Sequence, residues 1–251
     1  MAVTNVSKAA RRSFLKQAAG FTASIPLSSA SAAAGLTALM ATDSGAATNP
    51  ANLPTAAFPG YQSLGPNEAA FVEAMVNIMC PADELTPNGV DCGLVIFIDR
   101  QLAGEFGKGA RRYLGGPWIQ GKPQLGYQLP LSPEQFFKSG VAAADEASRL
   151  RFGRNMERLS VVEGTEFLQG VGSGKVSHQR LSLSAWFNEL VYPLFVQACF
   201  SDPIYGGNRD KIFWRMIGYP GLPGTHTIDM VQYRGRPYPG AGNPKSIVDF
   251  S

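Results

Sequence analysis

Six stretches of the chain carry apolar residues every three to four positions, and runs of proline and glycine separate them. The first is opened by Pro66, has Glu68 in its first turn and stops at Pro81, with Phe71, Met75, Ile78 and Met79 on its apolar side. A second run, Val90, Leu94, Val95, Phe97, Ile98 and Leu102, reads as a buried helix. Residues 94–98 alone have strand-like composition, but Asp99, Arg100 and Gln101 continue the run without a turn signal. Ser132, Pro133 and Gln135 supply N-cap, first-turn proline and capping-box glutamine for a helix predicted to about Asn155, with a break near Gly140. Ser160 with Glu163 opens a fourth, to about Val171. The fifth spans about residues 182–200, and Pro193 is predicted to kink it by removing a backbone donor. The sixth is short, about residues 209–217. Ile212, Phe213, Trp214, Met216 and Ile217 leave it almost no solvent side, so it is predicted to be buried on most sides.

Between these helices the chain is irregular. Residues 104–131 are rich in glycine and proline, with Tyr113, Trp118 and Tyr127 among them, and excursions of this length are usually functional or lie against a partner. Residues 222–251 have no sustained period but are too apolar for plain disorder, so this tail is predicted to lie along something. The fold class is therefore mainly α: an irregular helical domain with long Pro/Gly-rich loops and an extended C-terminal tail. Its organisation reads as a leader over 1–47, an arm over 48–65, a helical domain over 66–221 and the tail over 222–251. Turn formers, rings and charges are densest over residues 201–221. There Asp202-Pro203 and Gly206-Gly207-Asn208 make turns, Asn208 or Gly207 starts the short helix with Asp210 in its first turn, and Gly218 to Gly221 stop it. The apolar side of that helix meets either this chain's own core or a second protein.

Composition narrows the class. With 251 residues, 45% hydrophobic and 16% charged, the chain can bury a sizeable core. The formal charge of +3 misleads, because Lys8, Arg11, Arg12 and Lys16 lie in the first 34 residues, where there is no acid. Without those four, 18 basic residues face 19 acidic ones, which gives no electrostatic case for nucleic acid or an anionic membrane. Arg11, Arg12, Phe14, Leu15 and Lys16 complete the R-R-x-F-L-K pattern of a twin-arginine export signal, followed by a mildly apolar, uncharged stretch rich in Ala, Ser and Gly. Small-residue cleavage sites fall between about 32 and 47. No later stretch approaches the roughly 18 uncharged apolar residues that span a bilayer, which predicts a mature chain that is soluble or peripheral. Cargo of this export route is already folded, often around a cofactor, so the chain either holds a cofactor or escorts a protein that does.

Three cysteines remain, Cys80, Cys92 and Cys199. In an oxidising compartment Cys80 and Cys92 can close a loop of a dozen residues, worth about 3 kcal/mol in the chain-entropy model; the alternative is three buried thiols acting as small hydrophobes. No C-x-x-C-H haem signature occurs, and His178 and His226 are too few and too far apart for a histidine-based metal site. The run from Gly170 to Lys175 has Gln169 and Val176 where a phosphate loop needs Gly and Ser or Thr, and it follows a predicted helix. There is no G-x-S-x-G nucleophile elbow. Asp83 with Glu84 and Asp145 with Glu146 read as caps or solvated faces, and the arginines at 149, 151, 154 and 158 as an ion-paired helix surface or as contacts to an acidic partner. An exported core with aromatic loops and no catalytic set favours the escort reading.

The twin-arginine start, the Pro81-Ala82-Asp83-Glu84 turn, the Phe97-Ile98-Asp99-Arg100-Gln101-Leu102 helix, and above all Ser201-Asp202-Pro203-Ile204-Tyr205-Gly206-Gly207-Asn208 leading to Trp214-Arg215-Met216-Ile217-Gly218-Tyr219-Pro220-Gly221 resemble the gluconate 2-dehydrogenase subunit 3 family. The resemblance implies a non-catalytic small subunit, without a cofactor of its own. Its implied partners are a large FAD-containing dehydrogenase subunit, a multihaem cytochrome c subunit and the twin-arginine translocase, in the periplasm and peripheral to the inner membrane. It implies no catalytic residues here. Asp202, Tyr205, Asn208, Trp214 and Tyr219 are the candidate partner-facing residues. The alternative is a stand-alone periplasmic enzyme or binding protein with an unseen ligand.

Overall fold

A computed structural model of the chain describes residues 60–250, apart from 120, 123, 124, 223 and 225. The export motif at Arg11, Arg12, Phe14, Leu15 and Lys16 and most of the 48–65 arm lie outside the described residues. What is described is mainly helical, without a named strand; a single isolated bridge pairs Gly221 with Lys245. No described helix is long and apolar enough to cross a membrane.

Helix α1, Pro66–Met79, begins at its proline, carries Glu68 in the first turn and buries Phe71, Val72, Met75 and Val76. Helix α2, Leu94–Ala103, starts four residues later than the apolar run from Val90, because Gly93 takes a left-handed conformation (φ 79°) that no helix continues. A single turn, α3 (Glu105–Lys108), follows before the chain becomes irregular. The capping box read at Ser132 is present: its hydroxyl accepts from Gln135 N and its own N–H donates to the Gln135 side chain, opening α4, Pro133–Phe152. Helix α5, Val161–Gly172, opens with the second box, Ser160 and Glu163.

One expectation, a break near Gly140, is corrected by the structure. Helix α4 runs unbroken through Gly140, because that glycine is a packing notch. A Cβ there would collide with the Trp186 indole, whose Nε1 donates to Phe137 O at 3.2 Å. The fifth helix is irregular ahead of Pro193: α6 (Leu183–Trp186) passes through a widened π turn, Phe187–Val191, into α7 (Tyr192–Phe200). The physical cause is the proline in the first turn of α7, since its missing N–H leaves a carbonyl upstream that the wider turn accommodates.

Trp186 is the centre of the core. It is fully buried, edge-on to Phe71 (6.1 Å) and tilted against Phe137 (6.2 Å), so one side chain joins α1, α4 and α6. Helix α2 packs on α7 at the side of this core, and α5 closes it against α1 and α6. The arm enters over α2 through Asp99, a buried carboxylate (3% exposed) that accepts from the main-chain N–H of Gln62 (2.8 Å), Ser63 and Leu64 (2.9 Å each). A buried charge is tolerable only when so satisfied.

Two stability measurements test this core by guanidinium unfolding. Gly140→Ala, a change that favours an exposed helix, is expected here to cost about 2 kcal/mol through overpacking against Trp186. An unchanged or raised midpoint would show that the notch is not needed. Asp99→Ala is expected to cost about 3 kcal/mol, because three main-chain donors lose their acceptor together, and Asp99→Asn less.

Candidate partner interface

Residues 201–221 are seated on α2 and α7 by close backbone contacts as well as by side chains. Asp202 caps the turn Pro203–Tyr205, its Oδ1 accepting from Ile204 N at 3.0 Å. The chain then passes Gly206 (φ 102°) and Gly207 in direct contact with the helices: a Cβ on Gly93 would strike Gly206 O, and one on Gly207 would strike Ala198 O. Arg209 N donates to Cys92 O at 3.0 Å, tying the turn to the start of α2. Asn208 is fully buried and left-handed; its amide donates to Ser201 O at 3.1 Å and accepts from Phe213 N at 3.0 Å. Asp210 and Lys211 are left-handed as well, an uncommon conformation for residues with a Cβ.

The short helix is α8, Ile212–Ile217, six residues long and preceded by the tight turn Arg209–Lys211. It is not buried on most sides. Phe213 and Trp214 point inward, while Met216 and Ile217 are exposed. The Trp214 Nε1 donates to Phe200 O at 2.8 Å, and the ring meets Tyr219 edge-on at 5.1 Å. The sequence expectation set Asn208 and Trp214 on the partner-facing side. The structure puts both inside, Trp214 at 5% exposure, because each satisfies a backbone group that would otherwise be orphaned. Tyr205 (51% exposed) and Tyr219 (40%) do face outward. Asp202 is half-buried and engaged by the tail, accepting from Ile247 N at 2.9 Å.

That tail returns to residues 201–221 instead of leaving them. Lys245 N donates to Pro220 O at 3.0 Å, and Leu222 N donates to Lys245 O at 2.8 Å. Asp249 receives the Lys211 ammonium (2.7 Å) and the Ser246 N–H, and the lysine contact is the main reason its carboxyl is pushed down to about 2. Between these anchors, α9 (Thr227–Gln232) holds Ile228, Met230 and Val231 out to solvent.

Beside Tyr205 lies a groove of about 500 Å³ between α2 and α7, lined by Phe97, Gln101, Val196, Gln197, Phe200, Ser201 and Tyr205. It carries no charged side chain. The Ser201 hydroxyl is buried there without a hydrogen-bond partner. Among the described residues 22 large hydrophobic side chains are exposed, and 17 of them belong to two irregular regions, 110–131 and 200–250. Among the described residues no three His, Cys, Asp or Glu side chains converge as a metal site. The sequence reading missed Phe200 and the groove, since the groove exists only where α2 meets α7. Cys80 and Cys92 are both buried.

A helical body that gathers its exposed apolar groups on two irregular regions has the make-up of a subunit of a larger assembly. The chain belongs to the gluconate 2-dehydrogenase subunit 3 family, whose model matches residues 66–221. It is thus a subunit of a gluconate 2-dehydrogenase-like complex, with partner subunits implied. No curated protein and no solved structure is significantly similar to it.

Burial separates two kinds of substitution. Tyr205→Asp is expected to leave the melting temperature of the lone chain close to the parent's while weakening capture of its partner subunit at least about tenfold. Trp214→Ala is expected to destabilise the lone chain by about 3 kcal/mol. Co-purification and thermal melts on the same preparations check both, and the opposite ranking would make Tyr205 structural.

Proposed function

We propose that this chain is the non-catalytic small subunit of a periplasmic flavoprotein dehydrogenase complex, carrying the twin-arginine signal that exports the FAD-containing large subunit and stabilising that subunit once bound. The observation that carries this reading is the union, in one chain, of the R-R-S-F-L-K motif at residues 11–16 with a family match over residues 66–221. A flavoprotein must take up FAD before it leaves the cytoplasm, so a folded heterodimer sharing one signal meets both requirements.

In this reading FAD and haem c belong to the partner subunits. The 500 Å³ groove beside Tyr205 is lined without a cation that could meet a flavin pyrophosphate, and the sequence has no C-x-x-C-H attachment site. The apolar groove and the rings of Phe200 and Tyr205 instead suit burial against protein. Electrons leave the large subunit through a multihaem cytochrome c subunit, and the complex sits at the periplasmic face of the inner membrane.

Arg11→Lys with Arg12→Lys tests the escort role in cells co-expressing the large subunit. Flavoprotein activity in the periplasm is expected to fall to background while the cytoplasmic heterodimer still forms. Unchanged periplasmic activity would refute the role.

A further inference from the structure

The two cysteines that flank the α1–α2 connection sit against each other. Cys80 is the residue after α1, and Cys92 lies two residues before α2. Both sulfurs turn onto one carbonyl, Pro87 O, at 3.9 Å from Cys80 Sγ and 3.6 Å from Cys92 Sγ. Both side chains are buried. The Cys92 thiol is pushed well up, first by its hydrogen bond with Cys80 and then by burial, whereas Cys199 on α7 acts on it electrostatically and more weakly. The loop between them is already folded for closure. Asp83 Oδ1 accepts from Leu85 N and Thr86 N, Asn88 bonds Asp91, and Val90 N reaches Asn77 on α1.

We propose that Cys80 and Cys92 are joined by a disulfide in the exported protein, clamping the α1–α2 connection on which residues 206–209 are seated. The inference rests on the export reading only for where oxidation takes place. In the step, the two S–H bonds break and one S–S bond forms. Two electrons and two protons pass to an incoming disulfide, a thiol–disulfide oxidoreductase or glutathione disulfide, which leaves as two thiols. The thiolate is the attacking species, and burial disfavours it at Cys92, so the reaction proceeds through brief opening of residues 81–91. The clamp matters beyond its loop. Cys92 O is the acceptor for Arg209 N, and Gly93 lies directly under Gly206, so closing the ring holds the floor of the partner-facing turn.

The full chain, purified reduced and equilibrated with glutathione disulfide, tests the pairing without any export step. Cleavage after glutamate separates the two cysteines at Glu84, so the fragments bearing Cys80 and Cys92 are expected to stay joined until a reductant is added. The oxidised chain is expected to have a folded-to-unfolded ratio roughly a hundredfold above the reduced one, as a loop of this length implies. Cys199→Ser is expected to keep that difference and Cys80→Ser to abolish it. A bond that includes Cys199, or glutathione adducts at Cys80 and Cys92 without a cross-link, would overturn the pairing. Fragment mapping needs no variant, so a Cys80→Ser chain that fails to fold leaves the test intact. Loss of escort activity in cells would leave this result standing, and the reverse holds as well.

Discussion

The contact on which the candidate interface depends is the approach of two glycines to two helices. Gly206 presses on Gly93 and Gly207 on the Ala198 carbonyl, leaving no room for a Cβ on Gly93 or Gly207. Because backbone meets backbone, the turn cannot slide without breaking the Arg209–Cys92 and Asn208–Ser201 hydrogen bonds. The rest follows from that seat. Asn208 is forced inside and caps α8 through Phe213 N; Phe213 and Trp214 then fill the space beside Phe200, and Tyr205, Met216 and Ile217 are left outside. Three left-handed residues with side chains, at 208, 210 and 211, are held in a conformation of higher energy by these surrounding bonds.

The core proper solves a different problem with a similar device. Trp186 needs a large cavity and a hydrogen-bond acceptor deep inside, and Gly140 with Phe137 O gives it both on the same turn of α4. Asp99 plays the corresponding part for the incoming arm, holding three main-chain donors on one carboxylate. In each case a single polar or absent side chain sets the position of a whole segment. The residues that do so are scarce, so the helices around them can remain generic apolar surfaces.

The tail extends the same logic to the surface. The family match ends at residue 221, yet the chain turns back to bond Pro220, Asp202 and Lys211. The tail therefore holds α9 and its exposed Ile228, Met230 and Val231 between two fixed ends. A subunit that docks by apolar contact gains from such anchoring, since less freedom is lost on binding.

Local rules made much of this legible. Capping boxes at Ser132 and Ser160, the opening Pro66 and the stop before Pro81 act within one helical turn, so their readout from sequence agrees with the helices they open or close. The sequence by itself also determined the mainly helical class and the family, whose model matches residues 66–221. Tertiary structure decided what sequence spacing does not encode: that Gly140 is a notch rather than a break, that Trp214 and Asn208 turn inward while Tyr205 turns out, and that α2 and α7 leave a groove between them. The physical reason is range. A cap is satisfied by neighbours three residues away, whereas the direction of a ring is set by elements tens of residues distant, and only the assembled core brings those together.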